Sequence, residues 1–423
     1  MKILFAAATF ATNISGVQRH VFNVVRCLLP RPEITQVDIA VAPWQKDLLE
    51  RAGLPRSVKL IPHVAKMEQT ALSRNIWYYR ELPKLASELG SDLVHVACPM
   101  PLDGRAFQCP TVVTLHDLYP YEIPINFGFP KFIFNRFVLW QCLRAVDGIA
   151  CVSEATAARL RRYLPASIWR KSVRIYNCVE PERQVSAESP IPAWAGEPFL
   201  LCIAQHRRNK NLPLVIKAFK TLLNSGRLDA NAYLVIVGIR GPETTKIHRL
   251  VREAGLERRV AFLEGLSEGE LQWCYRNCAV LLAPSITEGF DLPVAEGILA
   301  GCRIVCSDIE VHREIGKEFC KFIQLGTDEE RRLADSISEI LREPKPLPAL
   351  LRHLSGPVLA QQYLALYRRL RASANSAELT DPAEAFPVAQ MDGASIAPGN
   401  GLLIEYGGAG AARKDARTFV RPN

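Results

Sequence analysis

The chain has 423 residues, 48% of them hydrophobic and 22% charged, with a formal net charge of +9. That length is too great for one ordinary core and points to two domains, with the composition of a globular protein. The positive balance points to an anionic partner (nucleic acid, phosphorylated small molecule or acidic membrane surface) without choosing among them, and no window reaches the ~18 apolar residues of a membrane span.

The opening "MKILFAAATFATNISG" has the lysine, apolar run and small residues of a signal peptide. The run is short, however, and gives way at once to a turn, so a first strand followed by a glycine turn is the better reading. "GVQRHVFNVVRCLL" then puts Val17, Val21, Val24, Val25 and Leu28 on one helical face. "VDIAVAP", "LVHVAC", "PTVVTLHD" and "GIACVS" follow as continuous β-branched apolar runs. Strands of that kind are buried on both faces, as in a parallel sheet covered by helices.

Residues 181–197 read as a proline-rich linker without period. Strand and helix patterns then alternate again, from "FLLCIAQ" and "LPLVIKAFKTLLNSG" through "AYLVIVG", "VAFLEG" and "VLLAPS" to "PVAEGILAG" and "RIVCSD". The expected organisation is therefore a doubly wound α/β domain over 1–180, a second over 198–357, an amphipathic helix over 358–376 and a disordered tail over 377–423. The 12 cysteines form no Cys-x-x-Cys pair and have no close histidine partners. They read as structural thiols of a reducing cytoplasm.

Doubly wound domains bind ligands in loops just after their strands, at the carboxyl ends. Four stretches qualify. Gly16 opens a helix whose free amides could face an anion, although a plain strand-to-helix turn explains it as well. His116 and Asp117 end an apolar run; a histidine there can donate to a phosphate, hydroxyl or carbonyl, or merely cap the loop. Arg207, Arg208, Lys210 and Asn211 lie where a strand meets a helix, and cations so placed can neutralise a diphosphate. In "TEGFDLPVAE", Pro293 suits a first helical turn, so the loop Glu288–Gly289–Phe290–Asp291–Leu292 leads to a helix N-terminus that attracts phosphate. Glu296, a turn later, could accept hydrogen bonds from vicinal hydroxyls, as an acidic residue does for ribose. Glu288 could reach the other end of the same ligand, so the pair spans a nucleotide-linked sugar.

Together these stretches resemble the GT-B glycosyltransferases, specifically the large retaining family four, over about residues 1–375. The most specific part is "PSITEGFDLPVAEGILAGCRIVCSDIEVHREIG", with its E-x7-E pair; "VTLHDLYP", "GIACVSEAT", "RRNKNLPLVIKAF" and "VAFLEGLSEGELQWCYRNCAVLLAPS" follow the family's order. The resemblance implies two Rossmann-like domains facing each other across a cleft. It implies a nucleoside-diphosphate-sugar donor that is a substrate, with no cofactor and no metal, and no Asp-x-Asp occurs in the chain. It assigns the ribose to Glu296, the diphosphate to Lys210, and the donor sugar or phosphate to Glu288. Backbone amides come from Gly289, Phe290, Asp291 and Leu292. His116 stands at the sugar's reacting face as a catalytic group with Glu288, and Gly16 lets the first loop approach.

Three positions depart from the family pattern. Asp291 replaces a glycine, which makes it either a specific hydroxyl acceptor or a charge penalty. Asn177–Glu180 replaces Asn-Gly-Val-Asp. Ala204-Gln205 replaces Gly-Arg, so that Arg207 or Arg208 substitutes.

A retaining hexosyltransferase, with mannose as one donor sugar, acting on a glycan or lipid-linked acceptor in polysaccharide, lipopolysaccharide or glycolipid synthesis is the leading expectation. A non-catalytic nucleotide-sugar binder is the alternative. A nucleic-acid partner finds no helix-turn-helix, RNA-binding aromatic motif or zinc spacing. "FGFPKFIFNRFVLWQCLR" (127–144) and "RLRRYLPASIWRKSVR" (159–174) combine aromatics with basic residues and contain no acid. Either they pack the domain core with a solvated basic face, or they attach a cytoplasmic enzyme peripherally to an anionic inner membrane surface.

Overall fold

The computed structural model describes residues 1–12, 14–180, 189–191 and 196–377. Most of the expected linker and all of the expected tail beyond Ala377 therefore lie outside the described residues. Among the described residues, thirteen strands form two all-parallel sheets. The first contains β1 (Lys2–Ala6), β2 (Gln36–Val41), β3 (Leu60–Val64), β4 (Leu93–Val96), β5 (Thr111–Leu115), β6 (Gly148–Cys151) and β7 (Ser172–Arg174) in the order β3-β2-β1-β4-β5-β6-β7. The second contains β8 (Phe199–Ile203), β9 (Tyr233–Val237), β10 (Val260–Leu263), β11 (Val280–Ala283), β12 (Ile304–Ser307) and β13 (Cys320–Ile323) in the order β10-β9-β8-β11-β12-β13. Strand order reverses between β1 and β4 and again between β8 and β11, and such switch points open a crevice at the carboxyl ends of the strands.

The continuous apolar runs explain the inner strands. Every residue of β4, β5, β6, β11 and β12 is buried, with helices on both faces. The edge strands are different. Leu60–Val64 is half exposed and carries Pro62, which the outermost position of a sheet tolerates because no further neighbour needs its amide. The expected face of the Gly16–Leu28 helix is confirmed, with Val21, Val24, Val25 and Leu28 buried and Val17 half-buried.

The final helix, Gly356–Ala377, returns to the first sheet. Its Leu359, Tyr363, Leu366 and Tyr367 share a core with Ile3, Phe5, Val25 and Leu93. The outgoing and returning chains also lie side by side. Val179 donates its amide to the Leu354 carbonyl (3.0 Å), and Gly356 donates to the Glu180 carboxylate (2.9 Å). All twelve cysteines are free thiols, and burial pushes those of Cys142, Cys151 and Cys202 up to about 12.

Candidate active site

Two loops of the second sheet, after β8 and after β11, bring most of the candidates together. After β8 a short 3-10 turn over Arg208–Lys210 ends at Asn211, which adopts a left-handed backbone (φ 51°) and starts the Leu212–Asn224 helix. After β11, Asp291 (φ 62°) starts the Leu292–Ala300 helix in the same way, with Pro293 in its first turn. Asparagine and aspartate are the side-chain-bearing residues that best tolerate this conformation, which is why aspartate fits where the related pattern has glycine. Phe290 is buried and Leu292 partly buried in the core of the second lobe, so their side chains serve packing and only their backbones remain available to a ligand.

A closed polar network links these loops. Lys210 Nζ lies 2.7 Å from Glu288 Oε1 and 3.7 Å from Asp291 Oδ1. His312 Nε2 lies 2.9 Å from Asp291 Oδ2. Tyr119, from the loop after β5 in the first lobe, donates to Glu288 Oε2 at 3.0 Å, and Asn209 donates to the Tyr119 oxygen at 3.2 Å. Burial works against both charges here, lowering Lys210 and raising Asp291, but the attraction wins. Asp291 and Glu288 hold Lys210 above its ordinary value, and Lys210 and His312 hold Asp291 below the carboxylate range. Asp291 is thus neither an uncompensated charge nor a free hydroxyl acceptor: its oxygens face His312 and Lys210.

Glu296 is equally engaged. Its Oε1 accepts from Arg19 Nη1 at 2.7 Å and its Oε2 from the Tyr275 hydroxyl at 2.7 Å; Arg19 also pairs with Glu268. Burial would lower the Arg19 guanidinium, but Glu296 and then Glu268 hold it above its ordinary value. Arg19 lies one turn into the helix that Gly16 opens, so the first lobe orients the carboxylate of the second. Ser15 caps that helix in a reciprocal pair with Gln18, and the space over the Gly16 Cα is open for 4 Å.

Gly289 joins the lobes most closely. A Cβ built there would stand 1.6 Å from the His116 carbonyl oxygen, so only glycine fits. Its own carbonyl accepts from Ser153 Oγ (2.6 Å) and Thr156 Oγ1 (3.1 Å), and the Glu288 carbonyl accepts from Arg159 (2.6 Å). His116 Nε2 donates to the Ala97 carbonyl at 2.9 Å. Burial outweighs that bond and pushes the ring down to about 4, so at neutral pH it is neutral with Nδ1 unprotonated. Burial raises the adjacent Asp117 to about 6.

Of the basic cluster, Lys210 is fully engaged and Arg208 is exposed. Arg207 is half-buried, has no partner for its Nε and forms no ion pair among the described residues. Arg208 and Asn211 line a cavity of about 610 Å3 with Lys217, Lys246 and Glu329; neither Lys210, Glu288 nor Glu296 borders it, so it lies beside the network. Sequence reasoning missed Arg19, Tyr119, Asn209, Ser153, Thr156, Arg159 and His312 as site residues. Ser153, before the Glu154–Tyr163 helix, carries an N-cap signal, but nothing in the sequence announces that it reaches Gly289.

The chain matches two family models in tandem: Glycosyltransferase Family 4 over residues 14–183 and Glycosyl transferases group 1 over residues 187–352. It belongs to the GT-B glycosyltransferases of family 4, group 1. It is 25% identical over 232 residues to the O-antigen chain mannosyltransferase RfbU of Salmonella typhimurium, covering 55% of this chain and 61% of that protein, so the match spans about three-fifths of RfbU. It is 24% identical over 355 residues to the 2-deoxystreptamine glucosyltransferase of Streptomyces kanamyceticus, covering 80% and 88%. The fold is similar to Anabaena HepE in complex with UDP and glucose, with a TM-score of 0.60 at 16% identity over 89% of this chain and 98% of that one.

Proposed function

We propose that this glycosyltransferase moves a hexose, with mannose as the first candidate, from a nucleoside-diphosphate sugar to a glycan or lipid-linked acceptor in polysaccharide synthesis, with retention and without a metal. The observation that carries the reading is Arg207, a cation at the carboxyl end of β8 whose Nε is buried and unpartnered. Its charge partly offsets the burial that raises the Asp117 carboxyl of the other lobe. A half-buried guanidinium that forms no ion pair among the described residues leaves charge for a diphosphate to answer. The N-terminus of the Leu292–Ala300 helix adds positive potential for the leaving diphosphate, which would compete with Glu288 and Asp291 for Lys210. Glu296, held by Arg19 and Tyr275, still has lone pairs for ribose hydroxyls. Neutral His116 offers Nδ1 to a sugar hydroxyl, and Glu288 lies between. The mannosyltransferase name of RfbU and the UDP held by HepE favour this donor class.

The placement at a membrane is part of the same proposal. Among the described residues no helix is long and apolar enough to cross one. Phe129, Ile133, Phe134 and Phe137 are exposed on or beside the Lys131–Ala145 helix, while Leu139, Cys142 and Leu143 face the core. Lys131 and Arg144 accompany the exposed aromatics, while Arg136 donates to the Pro120 and Tyr121 carbonyls; exposed aromatics with basic residues favour reversible attachment to anionic lipid at ~1 kcal/mol per basic residue. The second basic stretch is more committed internally: Arg159 pairs with Glu122, Arg161 with Glu154, and Lys171 donates to backbone carbonyls.

A thermal-shift screen of nucleoside-diphosphate sugars, followed by turnover with and without a chelator, tests the reaction. Stabilisation by one donor and turnover that survives chelation are expected. Activity restored only by added divalent metal overturns the metal-independent mechanism. Co-sedimentation with anionic but not neutral vesicles, weakening with salt, tests the placement; failure to bind either at low salt assigns a soluble acceptor.

A further inference from the structure

The cleft end of the first sheet holds another cation that forms no ion pair among the described residues. Arg74 lies in the Ala71–Ile76 helix, and its guanidinium stacks 4.0 Å over the ring of Phe10. Phe10 belongs to the loop after β1, and Cys98, whose thiol also acts on Arg74, belongs to the loop after β4. These two strands flank the switch point of the sheet. The Phe10 platform is fixed. Gln45 accepts from the Thr9 amide (3.1 Å) and donates to the Thr9 hydroxyl (2.7 Å) and to the Ala11 carbonyl (3.2 Å), and Trp44 donates to the Thr9 carbonyl (3.0 Å). Tyr78 donates to the Ala8 carbonyl at 3.0 Å.

Arg74 gains little from its neighbours. Among the described residues its Nε is buried and unpartnered, its guanidinium makes one hydrogen bond, to Asn75 at 3.5 Å, and it forms no ion pair. Burial lowers its guanidinium below its ordinary value, with Cys98 and Tyr78 opposing. Stacking on an aromatic face orients the planar fork and leaves its N–H edge for an oxyanion.

We propose that Arg74, on the Phe10 platform, binds a phosphate group carried by the acceptor. This assignment rests on the proposed transfer reaction: with the donor placed at the loops of the second lobe, the acceptor is left to the facing loops of the first, and the assignment narrows it to a phosphorylated one. Lipid-linked diphosphates and soluble phosphorylated glycans present the same oxyanion, and the test separates them.

Inorganic pyrophosphate is titrated calorimetrically into the full chain and into Arg74→Gln, Arg74→Lys and Arg207→Gln. The wild type is expected to bind two equivalents. Arg74→Gln should weaken one site by roughly ten- to a hundredfold, the loss of a charge-assisted contact, without changing the other. Arg74→Lys should fall between, because it keeps the charge and loses the planar fork. An unchanged unfolding midpoint should accompany the loss. Arg207→Gln should weaken the other site, so a failure at Arg207 sinks the donor reading and leaves Arg74 standing. Two unchanged sites in Arg74→Gln overturn the proposal. Competition then identifies the source: displacement from the Arg74 site by farnesyl diphosphate ahead of mannose 6-phosphate assigns the lipid, and the reverse order assigns a soluble phosphoglycan.

Discussion

The two switch points share a topology and differ in chemistry. At β8/β11 the charges answer one another: Lys210 faces Glu288 and Asp291, Asp291 faces His312, and Glu296 faces Arg19. At β1/β4 the polar groups are mostly neutral. His20, His95 and His116 are all pushed down by burial, Thr114 and the C-terminal-helix tyrosines Tyr363 and Tyr367 bond His20 and His95, the Ala97 carbonyl accepts from His116, and Arg74 forms no ion pair among the described residues. The second lobe presents a fixed array of paired charge, with Arg207 beside it as the cation left for an anionic ligand. The first presents a packed neutral wall with single outlying cations. A parallel sheet places its ligand at the switch point, but the loops decide what that ligand is.

The contrast breaks most severely at Lys210. Lys210→Ala leaves Glu288 and Asp291 buried without their cation, and a loss of ~3–5 kcal/mol in stability is expected by denaturant titration, together with loss of turnover. A drop within error of zero would show that the carboxylates do not depend on it. Gly289→Ala should follow. The His116 carbonyl must move to admit the methyl group, at ~1–3 kcal/mol, and activity should fall further than stability because the lobes no longer seat. Full activity in this variant would mean that the close approach is not required for turnover.

Arg19→Ala and Glu296→Gln act on one contact from its two ends. Each should raise the donor KM by an amount equivalent to ~1.5–3 kcal/mol, and their double mutant should cost less than the sum. Strict additivity would place the two residues in separate roles.

The neutral wall makes its own prediction. Histidines whose folded value is depressed are protonated in the unfolded chain before the folded one. Stability should therefore fall as pH drops from about 6.5 towards the folded values, about 4 for His116 and about 3 for His95. The slope is up to ~1.4 kcal/mol per pH unit for each group. Asp117, raised to about 6, runs the other way over pH 3.8 to 6 and offsets one histidine only. An unfolding midpoint that is flat or rises between pH 6.5 and 4.5 would contradict the buried neutral cluster. The smallest effect is expected of Tyr119→Phe, ~0.5–1.5 kcal/mol for one hydrogen bond to Glu288, measured by chemical denaturation.

Much of this molecule is legible in its sequence, for identifiable reasons. Doubly buried strands such as Thr111–Leu115 are continuous apolar runs, and the Leu292–Ala300 helix announces itself by Pro293. The edge strands Leu60–Val64 and Ser172–Arg174 escape because none of their residues is fully buried, so no continuous apolar run marks them. The cradle residues within single loops are readable because strand ends are. Their partners are not: Arg19 and Glu296 are 277 positions apart, and Ser153 and Gly289 are 136 apart. Asp291 misleads for the same reason, since its compensation by His312 comes from the following helix, Glu310–Gly316. The exposure of Phe134 and Phe137 is likewise a matter of which side of their helix faces the core.

The central claim is that the loop after β8 receives a diphosphate. The most direct measurement compares the affinities of UDP, GDP and ADP, and of the corresponding nucleosides, for the wild type, Arg207→Gln and Lys210→Ala. For the diphosphate that the wild type prefers, each variant should lose about tenfold or more, as expected for a charge-assisted contact, while nucleoside affinity stays the same. Equal losses for diphosphate and nucleoside, or none for either, would contradict the claim.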